Sequence, residues 1–292
     1  ALRAVVAEGV DPITAVQMAT INVARAYRLD HKLGGIAPGR SADLVLLSDL
    51  KDFQVQTVIV NGKELETDLH LPRFAYPDAA LQTVKLSLVT EESFHIKAPC
   101  SQGKAKVRVI NVIDGTLATT EEHHELPVKN GLLLNDPERD LLKVAVFERY
   151  GKTGTYALGI IKGIGIKNGA FGGSVGQDTQ NVVMIGSNDA DMALAVKALR
   201  EQQGGLVVAG GGRILASVRL PIAGIMTDIP PAELKQEVAQ FDATLASLGC
   251  TLTNPFLTLS LQIALAVIPE LRITNRGLVN VLSGEFVPLF VD

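Results

Sequence analysis

The sequence predicts an α+β fold (mixed α/β), because strands and helices occur together in it without strict βαβ alternation. Several short, largely apolar runs, among them 144–148 and 182–185, are typical of strands that are buried on both faces of a sheet. Two longer segments, 188–204 and 230–249, instead repeat their apolar residues at helical spacing. We therefore expect mixed sheets that are flanked by helices.

The N-terminal region is expected to form short helices and then two strands. The chain begins inside an apparent helix, so we expect it to be a fragment of a longer protein. Asp11-Pro12 is a typical start for the next helix. The runs 42–47 and 54–60 predict strands, and Asn61-Gly62 after them is a strong hairpin signal.

A boundary is predicted at 67–78, where proline and polar residues interrupt every period. Beyond it, His123-His124 is expected in a polar loop. Asn188 is predicted to cap the first long helix, and Pro230-Pro231 is predicted to open the second. The strands predicted after the boundary are 85–88, 107–113, 144–148, 157–162, 182–185, 206–209 and 214–220.

Length and composition are those of a globular protein. The chain has 292 residues, which at about 150 residues per domain indicates roughly two domains. A net charge of −4 argues against a general binder of nucleic acids or anionic membranes. No run approaches the ~18 apolar residues of a membrane span. Cys100 and Cys250 are the only cysteines, so a disulfide framework is excluded and a reducing cytoplasm is the expected location.

Three glycine-rich segments lack the spacing of a nucleotide site. The Gly-Lys-Thr of 151–153 has Val146 where a P-loop requires its first glycine. Neither 163–165 nor 210–212 continues as a dinucleotide fingerprint, and the triple glycine of 210–212 predicts a hairpin turn. His123-His124 lies among glutamates but lacks the second histidine of a zinc-protease pattern, so no metal site is expected there.

The segment 172–181 is the strongest candidate for a binding site in the sequence. It places a run of polar side chains between a glycine-rich turn and an apolar strand, and loops at strand ends commonly carry binding residues. A surface turn that satisfies its own backbone through Asp178 and Asn181 explains the same residues. Both interpretations remain open on the sequence.

Two groups of segments resemble known families. Residues 19–24 and 33–46, with the pattern G-x-I-x-P-G-x-x-A-D-L, resemble the C-terminal end of the amidohydrolase superfamily. The segments 125–131, 144–149, 220–228 and 267–278 are similar to the C-terminal domain of the adenine deaminases. The resemblance implies that 1–28 are the last helices of a barrel, 29–75 the return strands of a small β-sandwich, and 76–292 the C-terminal domain.

The resemblance also implies an activity for the full-length parent, which would hydrolyse adenine to hypoxanthine and ammonia. A divalent metal pair (manganese, iron or zinc) would activate the attacking water. The metal ligands and the acid–base carboxylate of such barrels lie upstream, so no metal and no catalytic residue is expected here and the fragment is expected to be inactive. The expected partners are the missing N-terminal barrel, adenine and further copies in a homo-oligomer, with neither nucleic acid nor membrane.

The chain departs from the family pattern at 177–181, where the usual His-Asp-Ser-His-Asn is replaced by Gln-Asp-Thr-Gln-Asn. Amides can hydrogen-bond a purine edge, but they do not transfer protons near neutral pH. A substrate-binding or lid role at the barrel mouth is therefore predicted for Gln177, Asp178, Gln180 and Asn181. A paralogue acting on another base or cyclic amide, and a non-catalytic binding or assembly module, are the alternatives.

Overall fold

A computed structural model describes residues 1–65 and 74–291 and divides the chain into two compact units, Ala1–Arg73 and Phe74–Asp292. Most of the predicted boundary segment 67–78, including His70 and Pro72, lies outside the described residues. Among the helices of the described ranges, none combines the length and apolar character that crossing a membrane requires.

The first unit contains short helices and a small antiparallel sheet. Asp11 accepts a hydrogen bond from the Thr14 N–H at 2.9 Å, which confirms the predicted helix start. Asn61 and Gly62 have φ values of +50° and +77° and connect the second and third strands, as a tight hairpin requires. The elements are α1 Leu2–Ala7, α2 Pro12–Ala19, α3 Ile21–Ala26, β1 Leu44–Leu47, β2 Val55–Val60 and β3 Lys63–Glu64, with sheet order β1-β2-β3.

The second unit is built on a 10-stranded sheet that confirms the mixed character of the fold. Before it, α4 spans Asp78–Leu81. The strands are β4 Ile96–Lys97, β5 Gln102–Val112, β6 Thr119–Lys129, β7 Leu132–Leu133, β8 Leu142–Phe147, β9 Tyr156–Lys162, β10 Ala170–Gly173, β11 Val182–Gly186, β12 Gly205–Gly210 and β13 Arg213–Arg219. Their order is β13-β12-β10-β11-β8-β9-β5-β6-β7-β4, and neighbours are antiparallel except β5 and β9.

The remaining elements cover both faces of this sheet. They are α5 Asp189–Glu201, α6 Pro231–Ser247, α7 Pro255–Leu257, a π-helix Thr258–Ile263, and a second sheet of β14 Leu271–Thr274, β15 Gly277–Asn280 and β16 Glu285–Val287. Along β8, Val144 and Val146 pack in a core with residues of α6, β14 and β15. Ala145 and Phe147 pack on the opposite side with α5. This alternation explains why β8 is apolar throughout.

The prediction of a polar loop at His123-His124 is wrong, because both residues lie in β6, which pairs with β5 along its length. The charges that suggested a loop are paired across the strands. Glu121 binds Arg108 at 2.6 Å, and Glu122 binds Lys162 at 2.9 Å on the other face. Alternation along the strand thus places each charge opposite a partner.

The prediction of a strand at 85–88 is also wrong. Val84 and Leu86 are buried, which accounts for the apolar pattern. The Lys85 N–H donates to the Arg149 carbonyl at 2.6 Å, but the segment joins no sheet. Burial of alternate side chains therefore produced a strand-like pattern without a strand partner.

Candidate functional site

The candidate site lies at one end of the central strands, where β8 ends, β9 begins, β10 ends and β11 begins. Phe147 is paired with both Val182 and Tyr156. The next residues outward, Glu148 and Asn181, therefore lie side by side just beyond the ends of β8 and β11. Sheet register, rather than proximity in the sequence, assembles the site.

A chain of polar side chains connects these strand ends. The Asn181 Nδ2 donates to Asn275 Oδ1 at 3.1 Å, and the Asn275 Nδ2 donates to Thr155 Oγ1 at 2.7 Å. Thr155 is 2.9 Å from the hydroxyl of Thr153, whose N–H donates to Glu148 at 3.1 Å. The turn between β14 and β15 is thereby tied to the large sheet.

Glu148 is the acceptor at the end of this chain. Its carboxylate accepts backbone N–H groups from Tyr150, Lys152, Thr153 and Gly154, at 2.7–3.1 Å. Burial by itself raises the pKa of Glu148, but these hydrogen bonds outweigh it and hold the pKa below its ordinary value. The Gly-Lys-Thr segment that resembles a phosphate loop therefore already binds an anion, which belongs to the protein.

In the other two glycine-rich segments the backbone N–H groups also donate to a carboxylate of the protein itself. Asp140 accepts N–H groups from all three residues of 163–165. Asp191 accepts those of Gly211 and Gly212, which turn the β12–β13 hairpin as predicted. Backbone N–H groups that would bind a phosphate in a nucleotide site therefore already donate to carboxylates of the protein. This agrees with the lack of P-loop and dinucleotide-binding spacing in the three segments.

A second polar cluster occupies the opposite face of the same sheet end. Arg149 is 2% exposed and donates to the Ala223 carbonyl at 2.9 Å. Ser174 accepts the Gly205 N–H at 2.7 Å and donates to the Gly224 carbonyl at 2.5 Å. These bonds attach the turn at 223–224 to the ends of β8 and β10, and through Ser174 to the start of β12.

The 177–181 loop is held by its backbone while its tip is exposed. The Gln177 N–H donates to the Ser260 carbonyl of the π-helix at 2.7 Å, and the Tyr150 hydroxyl donates to the Thr179 carbonyl at 2.9 Å. Asp178 and Gln180 have φ values of +67° and +51°, a conformation that only a few residue types adopt readily. The loop is thus an ordered projection at the sheet end.

Comparison with known proteins assigns the family. Residues 116–285, more than half of the chain, match the family described as the adenine deaminase C-terminal domain. The chain belongs to the adenine deaminase C-terminal domain family. Residues 1–65 match the amidohydrolase family, as the glycine- and proline-rich pattern at 33–46 predicted.

Three relatives of the chain are similar to it along nearly all of its length. Adenine deaminase of Clostridium botulinum (strain ATCC 19397 / Type A) is 42% identical over 296 residues, covering 100% of this chain and 49% of that protein. The Moorella thermoacetica and Methanococcoides burtonii adenine deaminases are 40% and 38% identical, over 99% and 96% of this chain and 49% and 47% of those proteins. The chain therefore spans about half the length of these relatives.

The four predicted site residues differ from one another in their exposure and in their contacts. Gln177 and Asp178 are exposed, and their side chains form no hydrogen bond with any described residue. Gln180 is half-buried. Asn181 is 3% exposed and contacts Asn275, so it supports the loop from below. Of the four, only Asn181 takes part in the series of hydrogen bonds that runs through Asn275 to Glu148.

Sequence reasoning missed Tyr150, Thr155 and Asn275 as parts of this site. Asn275 lies 94 residues from Asn181 in the chain, and no spacing pattern connects them. The resemblance to the family at 267–278 was the one signal that included Asn275. Tyr150 directly follows another similar segment, 144–149.

The described residues of the chain do not fit a metal pair. Within 1–65 and 74–291, no three histidine, cysteine, aspartate or glutamate side chains are grouped as metal ligands. His123 and His124 each form a hydrogen bond with the glutamate two residues before, at 2.7 and 2.6 Å. That the isolated chain binds no metal remains a prediction.

Proposed function

We propose that the chain is the C-terminal part of an enzyme that hydrolyses adenine to hypoxanthine and ammonia. In this reaction water adds at purine C6, the bond from C6 to the exocyclic nitrogen breaks, and that nitrogen leaves as ammonia. The observation that carries the proposal is 38–43% identity to proteins named adenine deaminase, along 96–100% of this chain. The free thiols of Cys100 and Cys250 are compatible with a cytoplasmic location.

The proposed domain organisation assigns 1–28 to the last barrel helices, 29–75 to the return strands of the small β-sandwich and 76–292 to the C-terminal domain. The two compact units and the separate family matches support it. The metal pair, manganese, iron or zinc, and the acid–base carboxylate would belong to the upstream part of the parent's barrel, outside this chain.

The 177–181 loop is proposed to line or cover the purine site of the parent. Its support is the combination of a fixed backbone with two exposed polar side chains, Gln177 and Asp178. Gln180 adds an amide at the loop edge. Asn181 acts through its contact with Asn275 rather than by reaching outward.

The full-length protein is expected to release ammonia from adenine, whereas the 292-residue chain alone is expected to show no turnover and no stoichiometric metal. An ammonia-release assay with elemental analysis of both proteins measures this. Adenine turnover by the isolated chain, or about one metal per chain, would contradict the proposal that the metal pair and the catalytic carboxylate lie outside it. A full-length protein that ignores adenine yet hydrolyses another base or cyclic amide would identify a paralogue.

Asp178→Ala in the full-length enzyme is expected to lower kcat/KM for adenine about tenfold, because one polar contact worth ~1.4 kcal/mol is lost. Asp178→Asn is the companion variant, since asparagine tolerates the left-handed backbone at φ +67° and removes only the charge. Steady-state kinetics on both variants separates side-chain chemistry from backbone strain. Wild-type kcat/KM for Asp178→Ala, with intact folding, would make the loop purely structural.

A further inference from the structure

We infer that Tyr150 and Asn275 are positioning residues that hold the 177–181 loop in the conformation that contacts the substrate, an inference that rests on the proposed function. The loop is anchored at alternate residues, 177, 179 and 181, to three different elements. Two of these anchors are side chains, those of Tyr150 and Asn275. The third is a backbone carbonyl of the π-helix.

Tyr150 is 39% exposed, but contacts of its backbone and its ring set the position of its hydroxyl. Its N–H donates to Glu148 at 2.7 Å, which sets the backbone beneath the ring. The guanidinium of Arg149 lies 5.1 Å and the ammonium of Lys152 5.9 Å from the ring centroid, within the range of cation–π attraction. The ring is therefore held where its hydroxyl meets the Thr179 carbonyl at 2.9 Å.

Asn275 anchors the other end of the loop through both atoms of its amide. The amide oxygen accepts from Asn181, and the amide nitrogen donates to Thr155. Because Asn181 is 3% exposed, water cannot readily replace Asn275 as its partner. Loss of this bridge leaves a buried donor without an acceptor, which costs more than loss of an exposed hydrogen bond.

The arrangement fixes the loop backbone and leaves Gln177 and Asp178 without side-chain partners among the described residues. The loop also closes part of its own backbone, because the Gln180 N–H donates to the Gly176 carbonyl at 2.5 Å and the Thr179 N–H donates to the Gln177 carbonyl at 2.9 Å. The side chains of Asp178 and Asn181 take no part in these bonds. An ordered backbone with unpaired exposed polar groups is what a pre-organised binding surface needs, because the entropy of ordering is lost before the ligand arrives.

This mechanism predicts which kinetic constant changes. If an anchor is removed, a smaller fraction of the enzyme has the competent loop, and the apparent affinity falls by that fraction. KM therefore rises while kcat at saturation is nearly kept. General destabilisation has the opposite signature, since it lowers the active concentration, and hence the apparent kcat, without changing KM.

The test uses Tyr150→Phe in the full-length enzyme, which removes one hydroxyl and keeps the ring. KM for adenine is expected to rise about threefold to tenfold, the scale of one hydrogen bond, with kcat within twofold. Tyr156→Phe is the matched control, because Tyr156 is 45% exposed at the same sheet end and its hydroxyl has no partner in the described ranges. Its KM is expected to equal that of the wild type.

Asn275→Ala is expected to raise KM similarly, and Asn275→Asp to restore most of the affinity, because its carboxylate still accepts from both Asn181 and the Thr155 hydroxyl. Hydrogen exchange of the 177–181 amides, measured by mass spectrometry, provides a readout that does not require activity. Exchange should be severalfold faster in Tyr150→Phe and Asn275→Ala than in Tyr156→Phe.

The two proposals fail differently. If the wild-type parent does not deaminate adenine, the proposed function falls, and the exchange rates alone decide whether Tyr150 and Asn275 order the loop. If the parent is active but Tyr150→Phe and Asn275→Ala keep wild-type KM, or lose kcat with unchanged KM, the positioning role is overturned. Unchanged exchange rates in both variants overturn it as well.

Discussion

Replacing Gly205 with alanine is expected to lower the free energy of unfolding by more than about 3 kcal/mol. Gly205 opens β12 with φ +129°, a conformation that residues with a Cβ rarely adopt. A Cβ at this position would overlap the Val218 carbonyl oxygen of the paired strand β13 and lie 2.8 Å from the Gln202 amide nitrogen. Urea unfolding of the variant and of the wild type gives the difference.

Gly212→Ala is the matched control for this prediction. Gly212 also has a positive φ, +75°, but a Cβ there meets nothing within 4 Å. Only the left-handed conformation is penalised, so a loss of about 1 kcal/mol is expected. Equal losses for the two variants would show that the close approach to β13 does not limit position 205.

Glu148→Ala is expected to destabilise the fold by about 2–4 kcal/mol, because the backbone donors of the 150–154 turn lose a shared charged acceptor. Solvent reaches the outer donors, which keeps the loss below the full sum. Glu148→Gln is expected to lose about half as much, since one amide oxygen can still accept. Chemical denaturation of the three proteins at pH 7 is the measurement.

The Glu148 contribution should depend on pH in a defined direction. Its pKa in the folded state lies below the ordinary value of 4.5, so the stabilisation is fully present above that value and is lost as the pH falls through the folded pKa. The wild type and Glu148→Ala should therefore converge in stability in acid. Glu125→Ala, which removes an exposed ion pair with Lys104, should change stability by under ~1 kcal/mol. A stability difference between the wild type and Glu148→Ala that does not shrink as the pH is lowered below 4.5 into strong acid would contradict the assignment.

Elements with local signals could be predicted from the sequence. The side chain of Asn188 accepts the Asp191 N–H and opens α5, as expected of an N-cap residue. The apolar strands β8, β11 and β12 lie where their runs predicted. The β6 strand was missed because its charges are satisfied by Arg108 and Lys162, which lie on other strands and cannot be paired with it from composition.

The sequence by itself determined the α+β class, the resemblance to the adenine deaminase C-terminal domain and the position of the 177–181 loop. Only the tertiary structure decided what surrounds that loop. The order β10-β11-β8-β9 brings Glu148 and Asn181 to one edge, and the packing of the second sheet brings Asn275 above them. Periodicity, caps and turns act over a few residues, whereas these neighbours follow from which strands pair, a choice made by burial across the whole core.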